Sequence, residues 1–535
     1  MEARKTMNES GNFALIASQM DKMLEHPIEP QYVPYPLRVS GKVIKQISTG
    51  IYRSPGNSIK ELISNSFDAD ATHVYVITRK PSFDSFRIYD DGDGISANEF
   101  TATMQRIGAS VKIPEERTRK GRPIIGRIGI GLLAVGHISK RFTFVSGKEG
   151  DAKGFEAKVD MTPMFEVETE ARPLEELTAG SIQLRMYSKP VEQHYTSIIV
   201  KDVSDSWKAQ LQSDFEDSYF RKPDTMDYET FVKQVQKDQS RVSQLAGYDQ
   251  FLWELGLLSP VRYLDDGPVK GVYDNTILEL KKRMESYNLN LYVDNIEVRK
   301  PILFPLEEDE LQLDGGYGVY PLRIEKKKEN AEVKALGYVY HQAVRILPPE
   351  LRGILPRIQN VGIGLPIENR FRILTENTVI AWQIAGELYV EEGLDAALNI
   401  DRSSFFEADP SFILLQEELE KTFKEGRIIK EIRERQEKRR KTRKIEDFTS
   451  TEDLLKELAF AAGIHDPVIK RESSFNPKVL ELDPKSGIIT VYNVAIRKAY
   501  EKMLLGVILC YQLSRYAKNP DAMFYQRLNE LILKL

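Results

Sequence analysis

A glycine-rich segment, GRIGIGLLA, places Gly126, Gly129 and Gly131 in a turn that runs into an apolar helical stretch. Backbone N–H groups at the start of a helix attract anions, and glycine lets phosphate oxygens approach the chain closely. The segment therefore predicts a phosphate site. The pattern alone is weak evidence. It is not the dinucleotide fingerprint, because a suitable preceding strand and an acidic residue about 20 positions further on are missing.

An acidic glycine loop, IYDDGDGI, comes earlier in the chain and contains Asp90, Gly92 and Gly94 in the order D-x-G-x-G. Such a loop fits either a turn at a strand end or a calcium site. A calcium loop between two helices requires an acidic residue at its twelfth position, which is missing here. The sequence therefore disfavours calcium at this loop.

Three polar residues with helical spacing lie still earlier, in the segment IKELISNSFDADA. Glu61, Asn65 and Asp68 stand at positions i, i+4 and i+7, so a helix aligns them along one stripe. An alternative interpretation makes Ser58 and Glu61 a capping box and the other polar residues a solvated helix face. The segment alone does not decide between these interpretations.

The elements that position these motifs alternate between helices and strands from about residue 35 to residue 187. Ser54 and Pro55 predict the N-cap and the first residue of a helix that carries the polar stripe. A helix is also expected over residues 39–51. Strand patterns occur at HVYVITR, FRIYDDG, FTFVSG and GSIQLRMY. This order predicts an α/β sandwich with a mixed arrangement of elements.

Taken in chain order, the motifs E-x-x-x-N, D-x-G-x-G and G-x-x-G-x-G cover about 75 residues and resemble those of the GHKL ATPases. This superfamily includes gyrase B, the ninety-kilodalton heat-shock chaperone, sensor histidine kinases and MutL. The string KELISNSFDADATHVYV is similar to the first motif of the chaperone and of MutL. The resemblance implies a Bergerat-type domain over residues 30–200 that binds ATP and Mg²⁺ and hydrolyses ATP.

The resemblance also assigns roles to the motif residues. Glu61 is expected to be the general base that polarises the attacking water, and Asn65 is expected to bind Mg²⁺ through its amide oxygen. Asp90 is expected to accept a hydrogen bond from the adenine amino group, because a carboxylate can only accept. Gly92 and Gly94 would let the loop pass close to the base.

Three further residues match the family less specifically. Asp68 belongs to the first motif, but the sequence gives it no separate chemical task. Lys112, in IGASVK, resembles the start of the chaperone's lid and is expected to contact phosphate or the lid. Ser181, in GSIQL, resembles the strand residue whose hydroxyl supports the adenine-binding acid. Lys112 and Ser181 also fit an ordinary loop and an ordinary strand.

Arg402 lies in LNIDRS, which resembles a loop in the chaperone's second domain. The arginine of that loop reaches the γ-phosphate, so Arg402 is expected to act as the sensing cation. Aspartate stands where that loop has serine, and no glutamate follows the arginine. The alternative for Arg402 is a surface salt bridge, which contributes little to stability.

Beyond the first domain, the sequence predicts a helical insertion or linker over 201–262, a middle α/β domain over 263–445 and a small α-rich module over 446–535. Strands are expected at LNLYVDNIEV, VKALGYVYH and GIGLP in the middle domain and at GIITVYNV in the last module. The layout is similar to heat-shock-90-like and MORC-like ATPases. It is unlike that of sensor kinases and topoisomerases, and the metal motif of nuclease-competent MutL proteins is missing. For this group the resemblance implies an ATP-gated dimeric clamp.

The segment Arg427 to Lys444, RIIKEIRERQEKRRKTRK, contains ten basic and three acidic residues and is expected to end the middle domain as a helix. It fits a solvated helix with i, i+4 ion pairs, or a surface that contacts nucleic-acid phosphates. Two functions therefore stay open. One is an ATP-driven machine that acts on nucleic acid, for example in bacterial genome defence. The other is a heat-shock-90-like chaperone that remodels protein clients.

The composition restricts the class of protein. The net charge of −5 over 535 residues gives no general argument for a nucleic-acid or membrane partner. A single cysteine, Cys510, excludes an intrachain disulfide and a multi-thiolate metal site, which suits the cytosol. The apolar run from Met503 to Tyr511 is too short to span a bilayer and predicts a buried helix, and the first residues do not resemble a secretory signal. We therefore expect a cytoplasmic protein with no membrane partner.

Overall fold

The computed structural model divides the chain into two compact units, Met1–Ile432 and Arg433–Leu535, called here the first and the second unit. The described residues are 19–25, 33–40, 54–104, 117–126, 134–163, 176–222, 226–238, 241–264, 267, 272–304, 317–342, 344–364, 366, 378–399, 402–425, 428–475, 479–493, 498–515 and 517–534. Mixed α/β structure is present, as the sequence predicts.

The first unit contains a nine-stranded sheet. Its strands are β1 Val33–Ser40, β2 His73–Ile77, β3 Phe86–Asp90, β4 Arg141–Gly147, β5 Lys153–Asp160, β6 Glu176–Ser188, β7 Tyr195–Val200, β8 Asn290–Val293 and β9 Ile296–Val298. Their order across the sheet is β1-β6-β5-β4-β7-β3-β2-β8-β9. Neighbouring strands are antiparallel except β2 and β8, which are parallel.

Helices cover this sheet. They are α1 Pro55–Asp68, α2 Ala97–Met104, α3 Ala134–Ile138, α4 Asp205–Gln212, α5 Tyr228–Lys237, α6 Gly247–Leu258 and α7 Asn275–Glu285. Helix α1 begins as predicted, because the Ser54 side chain accepts a hydrogen bond from the Asn57 N–H and Pro55 takes the first helical position. Its apolar stripe is buried and α1 packs against α3 and α6; the stripe consists of Ile59, Leu62, Ile63 and Phe67.

Helix α6 anchors the N-terminus of α1 through Glu254. The Glu254 carboxylate accepts hydrogen bonds from the Ser54 hydroxyl at 2.6 Å and from the Asn57 amide at 2.9 Å. A Cβ atom on Gly56 would lie 2.3 Å from Glu254 Oε2, so a larger residue there would displace this carboxylate. A negative charge at this end also complements the helix dipole. The predicted helical insertion is therefore packed directly on the helix that carries the polar stripe.

Two predictions for this region are wrong. Val39 and Ser40, predicted to begin a helix, end strand β1; residues 41–51 of that predicted helix lie outside the described residues. The predicted middle-domain strand LNLYVDNIEV forms β8 and β9 of the first sheet instead. Asp294 and Asn295 break it into a hairpin, with left-handed φ values of 46° and 71°. The pattern of apolar and polar residues along a strand indicates which side chains are buried. It does not show which sheet the strand joins.

A second sheet of the first unit follows further along the chain. Its strands are β10 Tyr317–Lys328, β11 Ala331–Gln342, β12 Gly353–Ile358, β13 Val361–Gly362 and β14 Ile384–Glu392, in the order β10-β11-β14-β12-β13. Only β12 and β14 pair in parallel. The strand predicted at VKALGYVYH is confirmed as β11. Among the described residues of GIGLP, only Gly362 belongs to a strand. Helices α8 Thr378–Ala381 and α9 Pro410–Glu425 complete this region, and one continuous hydrophobic core extends from Ile59 to Ile432.

A fully buried ion pair joins β12 and β14. The Arg357 Nε atom donates to Glu387, and the two side chains are 0% and 1% exposed. Tyr263 and Tyr338 donate their hydroxyls to the other Glu387 oxygen at 2.7 and 2.5 Å. Tyr263 also forms a β-bridge with Lys300, two residues after β9. Buried charges are tolerated when they are paired and hydrogen-bonded in this way, so the network holds the second sheet to the edge of the first.

We expect Glu387→Gln to lower the free energy of unfolding of the first unit by about 3 to 5 kcal/mol, because it leaves the Arg357 guanidinium buried without an opposite charge. Urea unfolding followed by tryptophan fluorescence measures this loss, since all three tryptophans lie in the first unit. Glu279→Gln is the matched control, because Glu279 pairs with Arg323 at the surface and should contribute little. Equal losses in the two variants would contradict a structural role for the buried pair.

The second unit combines helices with a small sheet. Helix α10 Ile428–Ala461 begins just before the boundary, and the later helices are α11 Lys498–Ser514 and α12 Pro520–Lys534. The strands are β15 Val468–Phe475, β16 Leu480–Asp483 and β17 Ile488–Asn493, in the order β15-β17-β16. The predicted strand GIITVYNV is confirmed as β17. The prediction of a single strand is wrong, because β15 (VIKRESSF) and β16 (LELD) are too polar or too short to show a clear alternation.

Apolar helix residues form the core of this unit, including Leu455, Leu505, Leu509, Cys510 and Leu531. The predicted buried helix around Met503 to Tyr511 is α11, but both of those end residues are about half exposed. Among the helices that the structure describes, none is long and apolar enough to cross a membrane. Of the predicted basic segment, Arg427 and the side chains of residues 438–444 lie outside the described part of the chain.

Candidate functional site

Glu61 lies on helix α1 with its side chain largely buried, at 6% exposure. Its Oε1 atom has no hydrogen-bond partner among the described residues, and the ammonium of Lys60 is 3.8 Å away. A buried carboxylate oxygen without a hydrogen bond costs free energy in the isolated chain. Such an oxygen suits a group that meets a water molecule or a substrate, so its placement is compatible with general-base chemistry.

The loop that carries Arg402 reaches the same helix. The fully buried Lys60 ammonium donates to the Arg402 carbonyl at 3.3 Å, although 342 positions separate the two residues. Arg402 is 7% exposed and has a left-handed backbone, with φ of 49°. The Nε atom of Arg402 is buried and has no hydrogen-bond partner among the described residues. The structure thus brings the predicted sensing cation to α1, and it adds Lys60, a residue that the motif analysis does not include.

Asp68 connects α1 to the beginning of the glycine-rich segment. Its two carboxylate oxygens accept the backbone N–H groups of Ile125 at 2.7 Å and Gly126 at 2.6 Å. Burial raises the pKa of Asp68 to about 6, while these two hydrogen bonds and the charge of Arg402 oppose the increase. Asp68 therefore acquires the task that the sequence does not show, which is to position the start of the glycine-rich segment.

Asn65 lies on the exposed side of α1, facing Gly126. A Cβ atom on Gly126 would be 3.6 Å from Asn65 Oδ1 and 2.9 Å from Asp68 Oδ2, so the glycine lets the loop pass close to both side chains. Asn65 is an exposed residue and stands between Glu61 and Asp68 along the helix. Lys112, Gly129 and Gly131 lie outside the described residues, so their predicted phosphate contacts stay predictions.

Asp90 is the last residue of β3 and is buried, at 6% exposure. It accepts hydrogen bonds from the Ser66 hydroxyl at 2.8 Å and from the Gly92 N–H at 3.0 Å. Burial raises the pKa of Asp90 to about 7, and the two hydrogen bonds limit the increase. Because Ser66 belongs to α1, this contact fixes the helix against the strand end that carries the acid.

Ser181 does not support Asp90, and this prediction is wrong. Ser181 is an exposed residue of β6, and β5, β4 and β7 separate that strand from β3. The hydroxyl that contacts the acid is that of Ser66. Thr196 of β7 stands directly opposite Asp90, and Ser146 of β4 stands opposite Thr196. The three residues therefore form a row across neighbouring strands, and a match to a short strand motif could not reveal this strand order.

The glycines of the acidic loop are needed for packing within the chain. A Cβ atom on Gly92 would lie 2.7 Å from the Ala69 carbonyl at the end of α1. Gly94 has φ of 66°, and its Cβ would lie 2.2 Å from the Gly147 carbonyl at the end of β4. Both positions therefore require glycine without any ligand being considered. The predicted close approach of this loop to adenine stays a prediction.

Residues 52–196 match the model of the family described as "Histidine kinase-, DNA gyrase B-, and HSP90-like ATPase". This range includes helix α1, the acidic loop and the glycine-rich segment. Residues 52–196 are therefore a domain of the GHKL ATPase superfamily. The recognition of this superfamily from the sequence is confirmed.

The curated relatives that the chain matches are similar to it over 110 to 122 residues. One, "Putative type II restriction enzyme HgiDII" of Herpetosiphon aurantiacus, is 33% identical over 121 residues, 23% of this chain and 19% of that protein. The DNA mismatch repair protein MutL of Thermodesulfovibrio yellowstonii is 29% identical over 110 residues, 20% of each protein. MutL of Brucella abortus is 31% identical over 122 residues, 23% of this chain and 19% of that protein. The similarity thus covers about a fifth of the length of these relatives.

We expect Gly94→Ala to destabilise the first unit more than Gly150→Ala. Both glycines have positive φ, which costs an alanine about 1 to 2 kcal/mol. Only Gly94 adds a collision, with the Gly147 carbonyl, whereas nothing lies within 4 Å of a Cβ on Gly150. Urea midpoints from tryptophan fluorescence measure the difference. Equal midpoints would show that the loop is not held against β4 in solution.

Proposed function

We propose that the GHKL domain binds ATP with Mg²⁺ and hydrolyses ATP to ADP and phosphate. One arrangement carries this proposal: Glu61, with a buried oxygen that lacks a hydrogen bond among the described residues, shares helix α1 with Asn65. Ser66 of the same helix contacts Asp90. A candidate base, a candidate metal ligand and a candidate adenine acceptor are thus positioned by one helix. Membership of an ATPase superfamily supports the same assignment.

At the adenine end, Asp90 is the acceptor for the exocyclic amino group. An ionised carboxylate has only acceptor sites, so it matches adenine, whose N6 group donates, and it opposes guanine, whose O6 accepts. The Ser66 and Gly92 donors orient the carboxylate and leave further lone pairs for the base. Thr196, opposite Asp90 on β7, is a second hydroxyl neighbour of this end of the site.

At the phosphate end, Glu61 polarises the attacking water, and Arg402 stabilises negative charge on the γ-phosphate. Lys60 holds the backbone of the Arg402 loop in place. Lys112 and the glycines at 126, 129 and 131 are the proposed phosphate contacts of the loop and lid.

Asn65 is the proposed protein ligand for Mg²⁺, which neutralises phosphate charge when bound. Asn65 is exposed on α1, and an amide oxygen is the kind of oxygen ligand that this metal accepts. Within the described residues, no group of three acidic, histidine or cysteine side chains could hold a metal ion by itself. This composition fits Mg²⁺ that is held largely by substrate phosphates and water.

We expect Glu61→Ala to bind ATP but to lose turnover by roughly 10²- to 10⁴-fold, the usual contribution of a general base. Asp90→Asn is expected to lose ATP binding, because its amide presents a donor where the carboxylate only accepts. Phosphate release measures turnover, and isothermal titration calorimetry measures binding. Normal turnover in Glu61→Ala would remove the base assignment, and normal binding in Asp90→Asn would remove the adenine contact.

The pKa of Asp90, about 7, predicts a pH dependence of nucleotide binding. The ionised fraction rises from about a tenth at pH 6 to about nine tenths at pH 8, so affinity should increase by up to about tenfold over this range. Ser66→Ala removes a hydrogen bond that lowers this pKa, and it should therefore shift the profile to higher pH.

Titration calorimetry with ADP between pH 6 and pH 9 tests this prediction. Protonation of the nucleotide is common to all samples, so the readout is the difference between each variant and the wild type. Ser181→Ala is the matched control, because Ser181 lies on β6, away from Asp90, and its profile should follow the wild type. If ADP affinity depends on pH in the same way in Ser66→Ala and in the wild type, Ser66 does not lower the pKa of Asp90.

For the chain as a whole, we propose an ATP-gated dimeric clamp that acts on nucleic acid, with bacterial genome defence as the biological setting. The contact between Lys60 and the Arg402 loop supports coupling, because a nucleotide that engages both α1 and this loop biases their relative arrangement. Two relatives are named as DNA mismatch repair proteins and one as a restriction enzyme, which supports a nucleic-acid target. Dimerisation is carried over from the family resemblance.

Stimulation of ATP turnover distinguishes this target from a protein client of a heat-shock-90-like chaperone. We propose that duplex DNA stimulates turnover and that neutralising Arg439, Arg440 and Lys441 of α10 removes the effect, through lost phosphate contacts. Turnover that ignores DNA but responds to an unfolded protein would favour the chaperone.

A further inference from the structure

A cleft of about 400 Å³ lies beside the GHKL site, between the segment 117–123 and the residues that connect α7 to β8. We call it the basic cleft. Its polar lining consists of Thr72, Arg117, Lys120, Arg122, Ser286 and Asn288. Three of these side chains are cations, and no carboxylate is among the described residues that line the cleft. A concave surface with this composition attracts anions.

Two of the cations form no ion pair with any residue that the structure describes. Arg117 donates to the Gly121 carbonyl at 2.9 Å, and Lys120 donates to the Asp70 carbonyl at 3.1 Å. Both partners are neutral backbone groups, and neither side chain is buried. Arg119 of the same segment is different, because it pairs with the carboxylates of Asp93 and Glu149 and is neutralised by them.

The third cation, Arg122, forms part of the wall of the basic cleft. Arg122 is buried and donates to the Ala71 carbonyl at 2.5 Å and to Asn288 Oδ1 at 2.6 Å. Its guanidinium also lies 4.8 Å from the centre of the Phe67 ring. The carboxylate of Asp70 is 3.9 Å from it. Arg122 therefore joins the two sides of the cleft, while Arg117 and Lys120 stand at its open side.

Asp70 holds the segment that presents these cations. It follows α1 with φ of 59°, and its carboxylate accepts the Thr118 hydroxyl at 2.5 Å and the Lys120 N–H at 2.8 Å. Gly121, with φ of 81°, allows the turn, and Arg117 bridges to Pro123 across it. The cations are therefore preorganised, which lowers the entropy cost of binding a ligand.

We propose that the basic cleft binds a phosphate group and that a nucleic-acid backbone supplies it. A guanidinium, an ammonium and nearby hydroxyl and amide groups are the donors that commonly contact phosphate oxygens of nucleic acids. The inference deepens the proposed function, since it rests on nucleic acid being the target and assigns a contact surface that the GHKL domain forms together with Ser286 and Asn288. Ile125 and Gly126, which bind Asp68, come two and three positions after the segment, so an occupant of the cleft contacts the chain close to the start of the glycine-rich segment.

Fluorescence anisotropy with a labelled duplex of about 20 base pairs at several salt concentrations tests this assignment on the full chain. Arg117→Ala/Lys120→Ala removes two phosphate contacts, so the slope of log affinity against log salt should fall by about two and the affinity should fall at every salt concentration. Arg117→Lys/Lys120→Arg keeps both charges and should bind close to the wild type. Lys201→Ala/Lys237→Ala removes the same charge from exposed positions elsewhere in the first unit and is the matched control.

The outcomes separate the site, its ligand and the ATPase proposal. If duplex affinity falls equally in Arg117→Ala/Lys120→Ala and in Lys201→Ala/Lys237→Ala, the proposal that the basic cleft binds nucleic acid is overturned. If the wild type binds no duplex, but inorganic phosphate or AMP raises its melting temperature and not that of the alanine pair, the nucleic-acid source is overturned and the site belongs to free phosphate compounds. ATP binding is measured on the same samples, and its absence from the wild type would contradict the proposed function and not the cleft.

Discussion

Charge that is removed from water on helix α1 and just after it is the constraint on which the site depends. A charged group that leaves water must find a compensating partner, and the partners here come from distant parts of the chain. On α1, Lys60 donates to the Arg402 carbonyl and Asp68 accepts from the amides that begin the glycine-rich segment. Asp70, two residues after α1, accepts from the segment 117–123. Helix α1 thereby holds the Arg402 loop and the start of the glycine-rich segment close to Glu61, the proposed base. Of the polar stripe, Glu61 is buried and Asp68 binds the start of the glycine-rich segment, whereas Asn65 is exposed.

The two sheets of the first unit are joined by side-chain packing and hydrogen bonds as well as by the chain itself. A single hydrophobic core extends across both, and the buried pair of Arg357 and Glu387 is linked through Tyr263 to the edge of the first sheet. Packed interiors resist continuous deformation. A change at the Arg402 loop is therefore expected to be transmitted as a shift of whole elements, as the proposed ATP-gated mechanism requires.

Much of this architecture can be read from the sequence, and the failures have physical causes. The start of α1 and the positions of β2 to β4 follow from local signals, which are a capping serine, a proline and apolar periodicity. Ser66 and Lys60 are missed because their roles arise from contacts with residues 24 and 342 positions away. Ser181 is misassigned and β8 is placed in the wrong sheet for the same reason, since strand order is a tertiary property.

The bond between Glu254 and the first turn of α1 also determines how much of the chain is needed to form the nucleotide site. A fragment that ended near residue 200, where the resemblance to the family stops, would lose the carboxylate that holds Ser54 and Asn57. It would also expose the edge of β2, which β8 covers. The three GHKL motifs would then be present without the helix and the strand that pack against them. The family match therefore ends at residue 196, whereas the compact unit that contains it extends to Ile432.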